Sequence, residues 1–381
     1  MLKLWDKIKL KIFLLTHGLN YSIAFAEQLY RVYLNHNKII HYRQGMPVYS
    51  LSTPALFSEP SANFFTRLLF RVIQNKNTPN LMSFAINDVC DSKCDHCSFF
   101  SRVDNKKRKV LTTDQAIQAL HDAQDLGVSV INFVGGEPLL RPDLPEIVSS
   151  IDKKLSTVIL FTNGSQLLDK AQALKDAGVD GVYISIDAAD EKKHNLIRHN
   201  PGVFQKAIAG IKKVKKLGLS TGISCVVTPE SFEKGEFDRI VELAKKIGVH
   251  EVLVFDSLPV GRLQKRQDLI TKKLWIDKLI AGSKKFNNDP SYPGVLIYAY
   301  ATSHRGAGCS GGTSYFYLNP YGDVSPCDFN GQYFGNVLEE PLYECWERMT
   351  NDHIYHQSTW GGCKVRNPKY KKYCNTRKYK K

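Results

Sequence analysis

Residues 81–100 read LMSFAINDVCDSKCDHCSFF. The apolar run LMSFAIN reads as a strand, and Cys90, Cys94 and Cys97 follow it at the spacing C-x3-C-x2-C. The three thiols therefore sit on a loop at a strand exit. A tight loop of this kind aims three thiolates at one point. Three thiolates are one short of the set that closes an iron–sulfur or zinc site. A cluster held by three cysteines keeps one iron open, which suits binding at the iron as well as passing electrons.

From 81 to about 265 the chain alternates strand and helix. Further apolar strands are expected at 128–136, 156–164, 181–187, 219–227 and 251–258. Helices are expected between them, including 111–127 with a Thr cap at 112 or 113 and a Gly at its end. Nearly all-apolar strands in such alternation predict a parallel sheet covered by helices. Ligands of parallel α/β sheets bind at the carboxyl ends of the strands. The chemically distinctive residues fall at such ends: Gly135, Gly136, Glu137 and Pro138, then Thr162 and Asn163, then Ser185 and Asp187, with Arg198 just beyond. Asp256, at the end of the sixth strand, is a candidate substrate contact. Cys225 lies mid-strand among apolar neighbours and reads as inert core.

The three-cysteine loop followed by GGEP at 135–138 resembles the radical S-adenosylmethionine (radical SAM) superfamily. The resemblance implies an α/β fold, a partial (β/α)6 TIM-like barrel. It implies a [4Fe–4S] cluster on Cys90, Cys94 and Cys97 whose open iron is chelated by SAM. One electron, from a donor such as flavodoxin or ferredoxin, would cleave SAM to a 5′-deoxyadenosyl radical that takes hydrogen from a substrate. By the same resemblance the GGEP backbone and Glu137 receive the SAM ammonium. Thr162, Asn163, Ser185 and Asp187 lie near its ribose and carboxylate, Arg198 faces the carboxylate, and His96 packs beside the adenine. A zinc knuckle completed by His96 or His121 is the rival reading.

A second constellation begins at Cys309 and Cys327, which frame GCSGGTSYFYLNPYGDVSPC. FYLNPYGDVSPC reads as a hairpin turning at 320–322. The stretch resembles the SPASM/twitch extension of radical SAM enzymes, which carries auxiliary clusters. The dense later cysteine run of the full pattern is missing, and only Cys363 and Cys374 remain. Four ligands, Cys309, Cys327, Cys363 and Cys374, match one auxiliary [4Fe–4S] cluster. Cys345, at a helix position before Trp346, reads as buried.

The chain has 381 residues and nine cysteines, seven of them in these two groups, which points to metal ligation in a reducing, cytoplasmic compartment rather than to disulfides. No apolar run reaches the ~18 residues of a spanning helix, and no secretory signal is expected. The net charge of +15 sits at the two ends. Residues 1–80 hold ten Lys and Arg against three acids, and residues 364–381 hold nine against none. Residues 1–40 read as a basic amphipathic helix that packs on a protein core or lies at the inner membrane face. The expected organisation is an N-terminal extension (1–80), a radical SAM core (81–265), a linker with one helix (266–300) and an auxiliary-cluster domain with a basic tail (301–381). The function expected is radical modification of a peptide or protein. Modification of a lipid or membrane-associated intermediate, and a non-enzymatic zinc or nucleic-acid-binding module, are the alternatives.

Overall fold

A nine-stranded sheet organises the computed structural model. The structure describes residues 30–36, 38–74, 76–99, 108–266, 268, 273–303, 305–355, 363–366 and 370. The helix expected over 1–40 lies outside the described residues except for a helical turn at 30–34, and so does Cys374. Strands β1 (His41–Arg43) and β2 (Met46–Val48) form a small antiparallel hairpin before the sheet begins.

The six strands expected from the apolar runs are β3 (Leu81–Ala85), β4 (Val130–Val134), β5 (Thr157–Thr162), β6 (Gly181–Ser185), β7 (Ser220–Val227) and β8 (Glu251–Asp256). They pair in parallel in chain order, as a partial (β/α)6 barrel requires. The chain returns between strands through helices with local stop and start signals. In the helix Thr113–Leu126, Thr112 accepts from the Gln115 amide, the Gln115 side chain answers in a capping box, and Gly127 closes the end at φ 102°.

Side-chain parity separates two cores. Ile131, Phe133, Val158, Leu160, Val182, Ile184, Val252 and Val254 face the helices. Their alternates Val130, Ile159, Phe161, Tyr183, Leu253 and Phe255 face the barrel interior. Gly222 clears room for the inward Tyr183 ring, which a Cβ there would meet at 2.7 Å. The interior is closed from below by the N-terminal stretch, whose Tyr30, Leu34, Tyr49, Leu51 and Leu56 join the inner cluster.

One strand and one pairing were not legible in the sequence. Residues 266–300 contain the helix Lys273–Asn287, as expected, and also β9 (Gly294–Ile297), which pairs in parallel with β8. GVLI is four residues long behind a proline, so its strand character comes from its neighbour rather than from its own pattern. The expected hairpin is β10 (Tyr315–Leu318) and β11 (Val324–Ser325), with Tyr317 opposite Ser325. Beyond that expectation, β10 also adds in parallel to the edge of β3.

Glu251, at the base of β8, is fully buried. Its Oε2 accepts the Leu51 amide at 2.8 Å and the Tyr183 hydroxyl, while Oε1 has no partner among the described residues. Burial pushes its pKa from 4.5 up to about 7, against the pull of the hydrogen bonds from Tyr183 and Leu51. The folded protein therefore keeps a proton that the unfolded chain releases between about pH 4.5 and 7. Stability from this group is full below that window and falls as pH rises through it, by on the order of 3 kcal/mol. Glu251→Gln should flatten the dependence of the urea midpoint on pH between 4.5 and 7.5; an unchanged slope would contradict this account.

Candidate active site

The loop 86–99 between β3 and the next helix has no regular secondary structure. It is tied down from four sides. Along GGEP, the Gly136 and Glu137 amides donate to the Asn87 and Val89 carbonyls at 3.2 and 2.7 Å, and Asn87 Nδ2 returns a bond to the Glu137 carbonyl. This approach needs glycine: a Cβ at Gly136 would sit 1.9 Å from the Val89 oxygen, and Gly135 has φ +140°. From the end of β5, Asn163 Nδ2 donates to Asp91 Oδ1 and Ser92 Oγ. From the helix Glu191–Arg198, the Ile197 and Arg198 carbonyls accept the Asp95 and Lys93 amides. From the loop after β8, the Arg262 amide donates to the Cys97 carbonyl at 3.0 Å, with Gly261 packed on that same carbonyl.

These ties place Cys90, Cys94 and Cys97 on one wall of a cleft of about 710 Å³ at the carboxyl ends of the strands. Gly135, Gly136, Glu137, Thr162, Asn163, Ser185, Asp187 and Arg198 line the same cleft, as does His96. Pro138 does not line it; it starts the short 3-10 turn Pro138–Leu140. His121 lies elsewhere, its Nε2 at 3.1 Å from the Ser150 carbonyl. Phe161, Phe255, Tyr317 and Phe329 give the cleft an aromatic wall.

Several expected contact residues are already engaged with the protein. Glu137 is 1% exposed; its carboxylate accepts from Thr162 Oγ1 at 2.6 Å, the Asn163 amide at 2.7 Å and the Leu139 amide at 3.1 Å. Burial still pushes it up to about 7. Arg198 Nε and Nη2 grip Asp187 Oδ2 at 2.7 and 2.6 Å, and Asp187 Oδ1 accepts the Val226 amide. Burial alone would raise Asp187, but Arg198, with His96 at 3.5 Å and His194, holds it well below the usual carboxylate range. Ser185 meets Ser224 at 3.4 Å. Asp256 is paired with Arg366, which also donates to Thr302 Oγ1 at 3.1 Å.

A second, smaller pocket gathers Cys309, Cys327 and Cys363, with Tyr298, Tyr315, Phe329, Tyr355 and Lys364. Cys345 stays outside it, fully buried near Glu340, and Cys225 is buried in β7. Phe329 lines both cavities.

Both thiol sets fit iron–sulfur clusters. Among the described residues no three Cys, His, Asp or Glu converge on a single ion; a cubane spreads its thiolates over separate irons and needs no such convergence. Burial raises Cys94 and Cys363 above the usual thiol range, so a cationic iron centre is what would make them thiolates. In the second pocket the Lys364 ammonium is buried and, among the described residues, has no hydrogen-bond partner, which suits an anionic group.

Residues 85–244 match the family model of the radical SAM superfamily, and residues 309–376 match that of the SPASM iron–sulfur cluster-binding domain; together they span more than half of the chain. The chain belongs to the radical SAM superfamily and carries a SPASM-type extension. It is an enzyme whose cofactors are a [4Fe–4S] cluster and S-adenosylmethionine, with iron–sulfur binding in the extension. It is 28% identical over 297 residues to the AdoMet-dependent heme synthase of Methanosarcina barkeri, covering 72% of this chain and 84% of that protein. To a probable GTP 3′,8-cyclase of Methanococcus maripaludis it is 36% identical over 137 residues, covering 36% of this chain and 45% of that protein. Its fold is similar to SuiB of Streptococcus suis bound to the precursor peptide SuiA, with TM-score 0.62 and 16% identity, covering 80% of this chain and 76% of that one. It is also similar to anSMEcpe with bound AdoMet, with TM-score 0.57 and 19% identity, covering 74% and 79%.

Residues that sequence reading did not single out complete the site: Asp91, Ser92 and Asn200, which brace the loop with Asn163, and Gly261, Arg262 and Arg366. Only the Gly-Arg pair following β8 carried a sequence signal, a glycine at a strand-end loop. The Asp187–Arg198 pair is buried on both sides, at 2% and 10% side-chain exposure. Asp187→Asn leaves a buried guanidinium uncompensated and should lower unfolding free energy by about 3–5 kcal/mol in urea titrations of the apoprotein. Glu230→Gln, which removes an ion pair exposed on both sides, should leave the midpoint unmoved.

Proposed function

We propose that the enzyme uses Cys90, Cys94 and Cys97 to hold the SAM-binding cluster and abstracts hydrogen from a substrate seated against the aromatic wall of the cleft. The observation that carries this reading is the gathering of those thiols, the GGEP backbone and Arg198 along one cleft. When bound, the cluster and SAM supply the one-electron cleavage that yields a 5′-deoxyadenosyl radical able to take a substrate hydrogen. The protein's part is binding, orientation and exclusion of water. GGEP offers backbone carbonyls to an ammonium. Glu137, saturated by three donors, acts by fixing that turn against the end of β5. Asp187 orients Arg198, whose remaining donor face is suited to a carboxylate. His96 offers a ring edge beside them, and Leu258, Val260 and Leu263 screen the mouth.

Cys309, Cys327 and Cys363, completed by Cys374, are our ligand set for one auxiliary [4Fe–4S] cluster. A flavodoxin- or ferredoxin-type donor supplies the electron. The substrate class we favour is a peptide or protein, in line with the structural neighbour that holds a precursor peptide. The likeness to heme synthases, running through 72% of the chain, favours a second reading: a flat tetrapyrrole lying on Phe255, Tyr317 and Phe329. Among the described residues no helix is long and apolar enough to cross a membrane. Contact through the basic residues 1–40 stays part of the proposal as a peripheral one.

The test is anaerobic reconstitution with iron and sulfide counts and an assay for 5′-deoxyadenosine. Wild type should hold about eight irons and the Cys90/Cys94/Cys97→Ala variant about four. Cys94→Ala should abolish SAM cleavage, and retained cleavage overturns the assignment. Stimulation of turnover by peptide libraries or by porphyrins separates the two substrate readings.

A further inference from the structure

The second cysteine pocket contains a charge that its surroundings leave unanswered. Lys364 follows Cys363 in the short turn Lys364–Arg366 and lines the pocket with Cys309, Cys327 and Cys363. It is 2% exposed, and among the described residues its Nζ has no hydrogen-bond partner. It lies over the Tyr355 ring, 5.3 Å from Nζ to the centroid. A single cation–π contact of this kind repays only part of the cost of taking an ammonium out of water. Asp256 does not make up the difference, because Arg366 from the same turn occupies it at two points. Asp328, which shares the neighbourhood, accepts the Tyr315 hydroxyl at 3.1 Å.

A [4Fe–4S] core with four thiolates carries two negative charges when oxidised and three when reduced. Such a centre answers a buried ammonium, and the ammonium favours the reduced form more than the oxidised one. Net charge near a cluster is one of the main determinants of its potential. We propose that Lys364 is the charge-compensating residue of the auxiliary cluster, raising its reduction potential so that it accepts an electron more readily. The proposal rests on the reading of the second pocket as an iron–sulfur site. It gives Lys364 a positioning role that acts through the cluster rather than on substrate.

The experiment uses the full-length chain carrying Cys90/Cys94/Cys97→Ala, so that the auxiliary centre alone is read. Iron and sulfide are counted and the midpoint is measured by EPR-monitored redox titration, with Lys364→Met and Lys364→Arg compared with that parent. The expected result is a lower midpoint in Lys364→Met at unchanged iron content, and a midpoint near the parent's in Lys364→Arg. An unchanged midpoint in Lys364→Met overturns the proposal. Should Lys364→Met fail to load, full loading of Lys364→Arg supports the charge assignment, and loss of iron in both overturns it. A parent that loads no iron overturns the reading of the pocket itself, and the proposal with it.

Discussion

An irregular loop must present three thiols in a fixed geometry without a hydrogen-bond ladder of its own. The rest of the site follows from that constraint. Residues 86–99 are held by the GGEP turn, by Asn163 at the end of β5, by the carbonyl end of the helix Glu191–Arg198 and by the Arg262 loop after β8. Each anchor comes from the carboxyl end of a different strand unit. A parallel sheet brings those ends to one side, so the same topology that opens the cleft also braces its most delicate wall. Functional groups on a loop become precise when packing and hydrogen bonds around them remove the alternatives.

Local signals carried most of the fold. The apolar runs of β4 to β8, the Thr cap at 112 or 113 and the glycine stop at Gly127 are short-range features, readable because they depend on neighbours within a few residues. The clustering of the three thiols with GGEP was legible for the same reason: motif spacing places them at strand ends. What stayed hidden was the choice of partner across long separations. Arg198 is turned toward Asp187, Asp256 toward Arg366, and Glu137 inward to Thr162 and Asn163. A carboxylate at a strand end looks the same in sequence whether it faces a ligand or another side chain. The strand β9 and the docking of the expected β10 on β3 were missed on the same grounds, since both depend on pairing with a distant neighbour.

Burial sets the resting chemistry of one thiol in each group. Cys94 and Cys363 are raised and favour the protonated thiol over the thiolate. Iron binding must displace those protons, so assembly of the centres is coupled to pH as well as to iron supply. The charged groups nearby divide into two kinds. Asp187–Arg198 and Asp256–Arg366 are closed pairs that add rigidity. Lys364 is the open one.

The parallel addition of β10 to β3 has a kinetic side. Tyr315 aligns with Leu81 across the pair, so one edge of β3 waits for residues made more than two hundred positions later. At ribosomal speeds of about 5–20 residues per second, that interval is roughly 10–50 s. Throughout it, the nascent barrel carries a bare strand edge immediately before its first cysteine loop, a template for wrong pairings. The edge closes only when the C-terminal hairpin docks and completes the sheet.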